Sequence, residues 1–313
     1  MKGVALTGLE DSRQTDIGSR PQPSASEQSP DHPVAKAHLR VQGRPSPPVF
    51  RHAPAGDLAG LVRHIWVPVW DIPAGEEWEQ HVLNYPCCQV VVGSDYARFY
   101  GVVRGLSRVT LAGRGWVVGV GLQPGAGWLV AGRPVSALTD TWVDLDEMGM
   151  PWSALVPAVR SVMSPDPSDA LAQRRAAGIL EDAVRRHVVI DEEGLLVNAI
   201  VDAVESDQSL LRVDQLAARF ALTERSLQRL TRRRLGLTPR WLVQRRRLHE
   251  AADRLRRGET DLAGLAAYLG YADQAHLSRE FKAVTGHTPA TFRATATRAD
   301  PAGDQSESTR SMQ

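Results

Sequence analysis

The 313-residue chain is 42% hydrophobic and 6% aromatic, with a formal net charge of only +1. Such values exclude a fibrous or wholly disordered chain, and the length predicts two folded units plus tails. Apolar runs such as VVVG and VVGVGL fall short of the roughly 20 residues that cross a bilayer, so no membrane partner is expected.

Taken in chain order, residues 1–48 are polar and proline-rich, as in RPQPSASEQSPDHP, and are expected to be a disordered tail. The first residues, MKGVALTGLEDSRQ, lack a secretory apolar region, and the two cysteines, Cys87 and Cys88, are adjacent and cannot frame a disulfide network. Both features predict a cytoplasmic protein. Over residues 49–146 the runs HIWVPVW, CQVVVG and GWVVGVGL alternate with glycine and proline, which predicts a β-rich domain. Seven of the eight tryptophans lie between Trp66 and Trp152, a density expected of core packing. Over residues 147–211, SALVPAVRSVM, DALAQRRAAGILEDAVRRH and GLLVNAIVDAV carry helical periodicity, predicting a helical linker or dimerisation region. Residues 212–297 are all-α, and residues 298–313 are again a polar tail, so the fold class is α+β and multidomain.

The near-zero net charge conceals a division. Residues 212–298 hold 18 lysines and arginines against 8 acids, a balance of +10, whereas the rest of the chain holds 19 against 28, a balance of −9. A basic unit attached to an acidic one attracts polyanions locally while limiting indiscriminate adhesion.

That basic unit contains an internal repeat. SLQRLTRRRLGLTP (226–239) returns fifty residues later as HLSREFKAVTGHTP (276–289), and Leu216-Ala217-Ala218 returns as Leu265-Ala266-Ala267. Each copy reads as a short helix, a turn and a second helix, the grammar of a helix-turn-helix. Thr223 and Asp273 suit N-caps of the second helices, and Gly270 suits a left-handed turn position. At about 100° per residue, Arg225, Gln228, Arg229 and Arg232 share one face of the first such helix while Leu227 and Leu230 point away. In the second copy Leu277, Phe281 and Val284 form the buried stripe, leaving Ala275, Ser278, Arg279 and Lys282 outward. Arginine matches guanine O6 and N7, and glutamine matches adenine, when such helices enter a major groove. Between the copies, Thr238-Pro239 should start a helix running to about Arg257 that fixes the spacing of the two readers, about 34 Å for one turn of duplex. Of Arg245, Arg246 and Arg247 on this connector, one or two are expected to reach phosphate and another to brace the fold. An arginine run by itself is more often a solvated helix face; duplication, opposed faces and segregated charge together favour nucleic acid.

With these motifs in place, Leu216 to Arg293 resembles the carboxyl-terminal DNA-binding domain of the AraC/XylS family of bacterial transcription regulators, most strongly in GYADQAHLSREFKAVTGHTPATFR. The resemblance implies two recognition helices reading double-stranded promoter DNA, with RNA polymerase as a further partner. It implies DNA contacts at Arg225, Gln228 and Arg229 in the first unit and at Gln274, His276, Ser278 and Arg279 in the second. One departure is Thr231, which stands where the family usually has a large apolar residue, the counterpart of Phe281.

The amino-terminal half, in the words HVLNYPCCQVVV and GRGWVVGVGLQPGAGWLVAGRPVSALTD, is more distantly similar to the sensor-like domains of such regulators. That implies a cupin-like barrel, a small-molecule effector, homodimer formation, or a combination of these. His52, His64 and His81 form no His-x-His pair, so no metal or cofactor is expected. Trp66, Trp70, Trp116 and Trp128 could line a ligand pocket but fit a core better. No nucleophile elbow, P-loop or zinc-protease motif occurs, and no enzyme is expected. Two alternatives to a sequence-specific regulator stand beside it: a DNA-binding module fused to a cysteine-based alkyl-transfer or redox-sensing domain using Cys87 or Cys88, and a nonspecific architectural DNA binder.

Overall fold

The computed structural model describes residues 46–149 and 151–297. The expected tails, 1–48 and 298–313, lie outside these residues apart from Ser46–Pro48. The first half is built on a six-stranded antiparallel sheet in the order β1-β2-β7-β4-β5-β8, from β1 (Val49–His52), β2 (Val62–Asp71), β4 (Gln89–Gly93), β5 (Ala97–Tyr100), β7 (Arg114–Leu122) and β8 (Trp142–Asp144). Two further strands, β3 (Glu77–Leu83) and β6 (Leu106–Ala112), pair only with each other.

The two-residue period of a strand explains how GWVVGVGL serves as the centre of this sheet. Trp116, Val118, Val120 and Leu122 face the main core, with Ile65 and Val67 of β2 and Val90 and Val92 of β4. Val117, on the opposite face, joins Trp70, Ile72 and Val91 in a second cluster that Trp78 and Leu111 of the β3–β6 ladder cover. On that face Gly115, Gly119 and Gly121 stand opposite Trp70, Trp66 and His64 of β2. Each of these β2 rings lies across a glycine; a Cβ at Gly119 would come within 2.3 Å of Trp66. The sequence alternation of glycine and valine is thus a packing device for large cross-strand partners.

The β-rich expectation holds, but the barrel does not: among the described residues the sheets are not closed, and β1 and β8 each pair with a single neighbour. These edges are only four and three residues long. Helices α2 (Trp152–Met163) and α3 (Ala170–His187) pack on the main-core face, occupying the space that a curling sheet would need. A short helix α1 (Gly127–Ala131) follows β7, and α4 (Glu192–Ser206) leads to the carboxyl-terminal helices. Asp169 and Asp191 cap α3 and α4 by accepting from Ala172 N at 2.9 Å and Gly194 N at 2.8 Å. Asn198 of α4 accepts from Gly125 N at 2.7 Å and donates to Gly60 O at 3.0 Å, tying the helix to the sheet loops.

The six remaining helices are α5 (Val213–Arg219), α6 (Glu224–Leu235), α7 (Pro239–Arg256), α8 (Leu262–Tyr268), α9 (Gln274–Thr285) and α10 (Pro289–Thr297). They do not share one core. Leu216, Leu227, Leu235, Leu237 and Leu242 continue the core that starts in the sheet, whereas Leu248, Leu255, Leu265, Leu277, Phe281 and Phe292 belong to a separate cluster. The helix α7 passes from one to the other.

Candidate nucleic-acid interface

Both expected helix-turn-helix units are present, α5–α6 and α8–α9, joined by α7. Thr223 Oγ1 accepts from Ser226 N at 3.1 Å, Asp273 Oδ1 from His276 N at 2.6 Å and Thr238 Oγ1 from Trp241 N at 3.2 Å, so the second helix of each unit and the connector start where their caps predict. Pro239 occupies the first turn of α7, where its missing N–H is harmless. The turns also correspond: Gly270 has φ of 72° and its counterpart Ala221 has φ of 51°, both left-handed.

On α6, Arg225, Gln228, Arg229 and Arg232 are all exposed, and Leu227 and Leu230 are buried beneath them. On α9, Gln274, Arg279 and Lys282 are exposed over Leu277 and Phe281. Among the described residues none of these cations takes part in an ion pair. Two sequence-predicted positions are less open. Ser278 is half-buried, and His276 is half-buried with its ring edge-on to Tyr271 at 5.1 Å and Nε2 3.8 Å from Glu280. The structure therefore brings seven of the nine predicted residues to two exposed cationic faces and leaves two at the margin of the second.

The neighbouring cations have another role. Arg234 is 4% exposed; its Nε donates to Glu193 at 2.9 Å, it also pairs with Asp191, and its guanidinium lies 4.1 Å over the Trp128 ring. Arg233 pairs with Glu193 as well. Burial alone would raise the Asp191 carboxyl, but hydrogen bonds from Arg234 and Gly194 N outweigh it and hold it below its ordinary value. For Glu193 the Arg234 hydrogen bond is the leading cause of a similar depression. The left-handed Gly236 ends α6 and accepts from Thr139 Oγ1 at 3.1 Å. Thr231, fully buried, donates to Gln228 O at 3.4 Å; this small residue suffices because the first unit is also packed by Val135 and Leu138 of the sheet domain.

The connector arginines depart from expectation. Arg245 and Arg246 are 4% and 8% exposed, and Arg247 is half-buried over Tyr271 at 3.7 Å. All three turn toward protein, so the phosphate-contacting role expected of one or two of them finds no surface here. A sign lies in the sequence itself: the buried apolar residues Leu242, Val243, Leu248, Ala251, Ala252 and Leu255 are spread around most of α7, leaving little solvated circumference.

The cysteines, tryptophans and histidines singled out in the sheet domain lie in its core or beside neighbouring side chains. Cys87 and Cys88 are both buried, and burial pushes both thiols up, Cys87 to about 11, which disfavours the thiolate a cysteine-based transfer or redox site needs. Trp70 and Trp116 are core residues, and Trp128 is the platform for Arg234. His64 is buried in β2, His52 Nε2 is 3.2 Å from Gln173, and His81 Nε2 is 3.1 Å from Glu79. Among the described residues no group of three histidine, cysteine or acidic side chains could hold a metal, and no helix is long and apolar enough to cross a membrane.

Two helix-turn-helix units on one connector, each presenting a free cationic face, define a double helix-turn-helix DNA-binding domain. Residues 216–295 match a family described as a helix-turn-helix domain. Residues 50–144 match a domain of unknown function (DUF6597). The transcriptional activator RhaS of Pectobacterium carotovorum is 33% identical over 78 residues, 25% of this chain and 28% of that protein. RhaS of Escherichia fergusonii is 35% identical over 80 residues, 26% of this chain and 29% of that protein. An HTH-type transcriptional regulator of Haemophilus influenzae is 23% identical over 133 residues, 40% and 44% of the two chains. The chain thus spans less than half the length of these relatives. Among solved structures, fatty-acid-bound ToxT of Vibrio cholerae aligns over 75% of this chain and 96% of its own, at 12% identity and a TM-score of 0.39.

Proposed function

We propose that the chain is a sequence-specific transcription regulator that reads double-stranded promoter DNA in the cytoplasm, with α6 and α9 in successive major-groove segments and α7 fixing their separation. One observation carries the reading. Five arginines fall between Arg225 and Arg234, and the fold sorts them: Arg233 and Arg234 are consumed by ion pairs to α4, while Arg225, Arg229 and Arg232 remain exposed beside Gln228. Arg279, Lys282 and Gln274 repeat that face on α9. Arg229 and Arg279 are assigned to base edges, Arg232 and Lys282 to phosphate or flanking bases, and Ser278 and His276 to the edge of the second reader. The relatives named as transcription activators and regulators share this region and support the assignment.

The domain reading is that residues 49–146 form a regulatory unit and 147–211 the helices connecting it to the readers, with homodimer formation and RNA polymerase contact belonging to the intact assembly. The test is selection of genomic fragments by the purified full-length protein at near-physiological salt. A regulator enriches a defined motif and discriminates it from a scrambled duplex by at least a thousandfold, the order usual for specific binders. Tight binding with no motif, and a steep salt dependence equal on both duplexes, would instead make it an architectural binder.

A further inference from the structure

A cavity of about 250 Å³ lies where the sheet domain, α4 and α7 meet. Its polar wall is unusual. Four of the residues that line it each carry a buried atom that lacks a hydrogen-bond partner: Arg245 Nη1, Arg246 Nε, His249 Nε2 and Glu205 Oε1. Buried polar groups are rarely left so, and four on residues that line one space call for an occupant.

The charges indicate which kind. Each acid on the wall is already engaged: Glu205 with Arg63 at 2.6 Å, Glu250 with Arg254 at 2.8 Å and Asp253 with Arg257 at 2.8 Å. Among the described residues no carboxylate pairs with Arg245 or Arg246. Arg245 Nη2 donates only to carbonyls, those of Arg104 and of Gly105 at 3.2 Å, and Arg246 Nη2 reaches the carbonyls of Gln208 and Leu210 at 3.4 and 3.5 Å. Buried guanidiniums stay charged and need an anion. His249, stacked on Tyr85 at 5.0 Å, is pushed down to about 3 by burial and by the surrounding arginines, so at neutral pH its uncharged ring can present an N–H from Nε2 without adding a cation. The opposite wall is apolar: Val201, Val204, Pro86 and Leu242. The volume lies below the roughly 300–1,000 Å³ of pockets for drug-sized ligands, which excludes a long chain.

We propose that this cavity binds a compact organic carboxylate, its anion held by Arg245 and Arg246 and its apolar body against Val201, Val204 and Leu242. The Glu205 oxygen would accept from a hydroxyl on the same ligand. Since α7 carries one wall and joins the two readers, occupancy ties their spacing to the sheet domain; that regulatory consequence rests on the DNA-reading proposal, whereas the binding itself does not.

Calorimetric titration of the full-length protein, without DNA, with 4-hydroxyphenylacetate and with its neutral amide tests the assignment. The carboxylate is expected to bind, the amide at least tenfold more weakly. Arg245→Gln should lose at least tenfold in affinity, and Val204→Phe, which fills the space from the apolar side, should abolish binding without touching a charge. Absence of carboxylate binding at millimolar concentration, equal binding of the amide, or wild-type binding by folded Arg245→Gln and Val204→Phe proteins would each overturn the proposal. The wild-type comparison decides even if a variant fails to fold. Failure here leaves the fragment selection untouched, and failure of that selection leaves this titration untouched.

Discussion

The two helix-turn-helix units derive from one repeated sequence yet are held in place by different means. The first shares its core with the sheet domain and is clamped to α4 by Arg233 and Arg234. The second has its own core and is linked to the rest through α7, with Gln244 donating to Glu280 at 2.7 Å and Leu106 of β6 touching its edge. At the fifty-residue offset, Ala283 and Val284 stand where the first unit has Arg233 and Arg234, and Phe281 where it has Thr231. The substitutions correspond to the anchors: a unit packed into another domain's core does with a small Thr231 and spends two arginines on docking, whereas a unit with a core of its own fills its centre with phenylalanine. A duplicated reader thus keeps its reading face and changes its underside.

This contrast can be broken from either side. The largest effect is expected for Phe281→Ala, which removes a fully buried ring that packs edge-on against Phe292 at 5.3 Å and should cost about 3–5 kcal/mol. Because α8–α10 contain no tryptophan, urea unfolding of this variant should lose helical circular dichroism before tryptophan emission changes. Coincident transitions would mean that the two cores are one. Arg234→Met should cost about 2–3 kcal/mol, less than the roughly 3–5 of a fully buried broken pair because Asp191 and Glu193 keep 41% and 44% exposure. In denaturant this loss should appear in the tryptophan-monitored transition.

The same clamp has a pH signature. Asp191 and Glu193 are held below their ordinary values of 3.8 and 4.5, so the stability they contribute is complete above those values and is lost as pH falls through their lower folded ones. Acid melting below about pH 4 should loosen the first unit in the wild type, and Arg234→Met should show a flatter acid limb.

On the reading faces the units should behave alike. Arg229→Ala and Arg279→Ala are each expected to weaken binding to a selected site by roughly 1–3 kcal/mol and to relax preference at one base position, a different one for each. A loss uniform across sequences would move that residue to the phosphate backbone. The smallest effect belongs to the turns. Ala221→Gly should stabilise by about 0.5 kcal/mol, because the left-handed strain relieved slightly exceeds the added chain entropy. Gly270→Ala should destabilise by roughly 1 kcal/mol, its Cβ meeting Leu211 at 3.1 Å in a backbone that resists it.

Local chemistry was readable in advance. Thr223, Thr238 and Asp273 mark helix starts because a cap acts on an amide three residues away, and the outward cations of α6 and α9 follow from helical period alone. Long-range choices were not. Arg234 falls seven residues after Leu227 and so toward the core side of its helix, but its partners Asp191 and Glu193 lie more than forty positions upstream, where no local pattern names them. Arg245 and Arg246 looked available for phosphate because the apolar surfaces that bury them belong to other elements. An open sheet and a barrel share the same alternation of strand residues, so only the helices α2 and α3 lying on one face separate them.

Hydrogen exchange of the full-length protein, followed amide by amide, tests the different anchoring of the two readers most directly. The amides of α6 are expected to exchange with the slow amides of α4 and β7, as part of one cooperative unit, while α8, α9 and α10 open together at a lower free energy. Equal protection across α5 to α10, with the sheet opening separately, would contradict it, because the two readers would then form one unit on which the sheet domain merely rests.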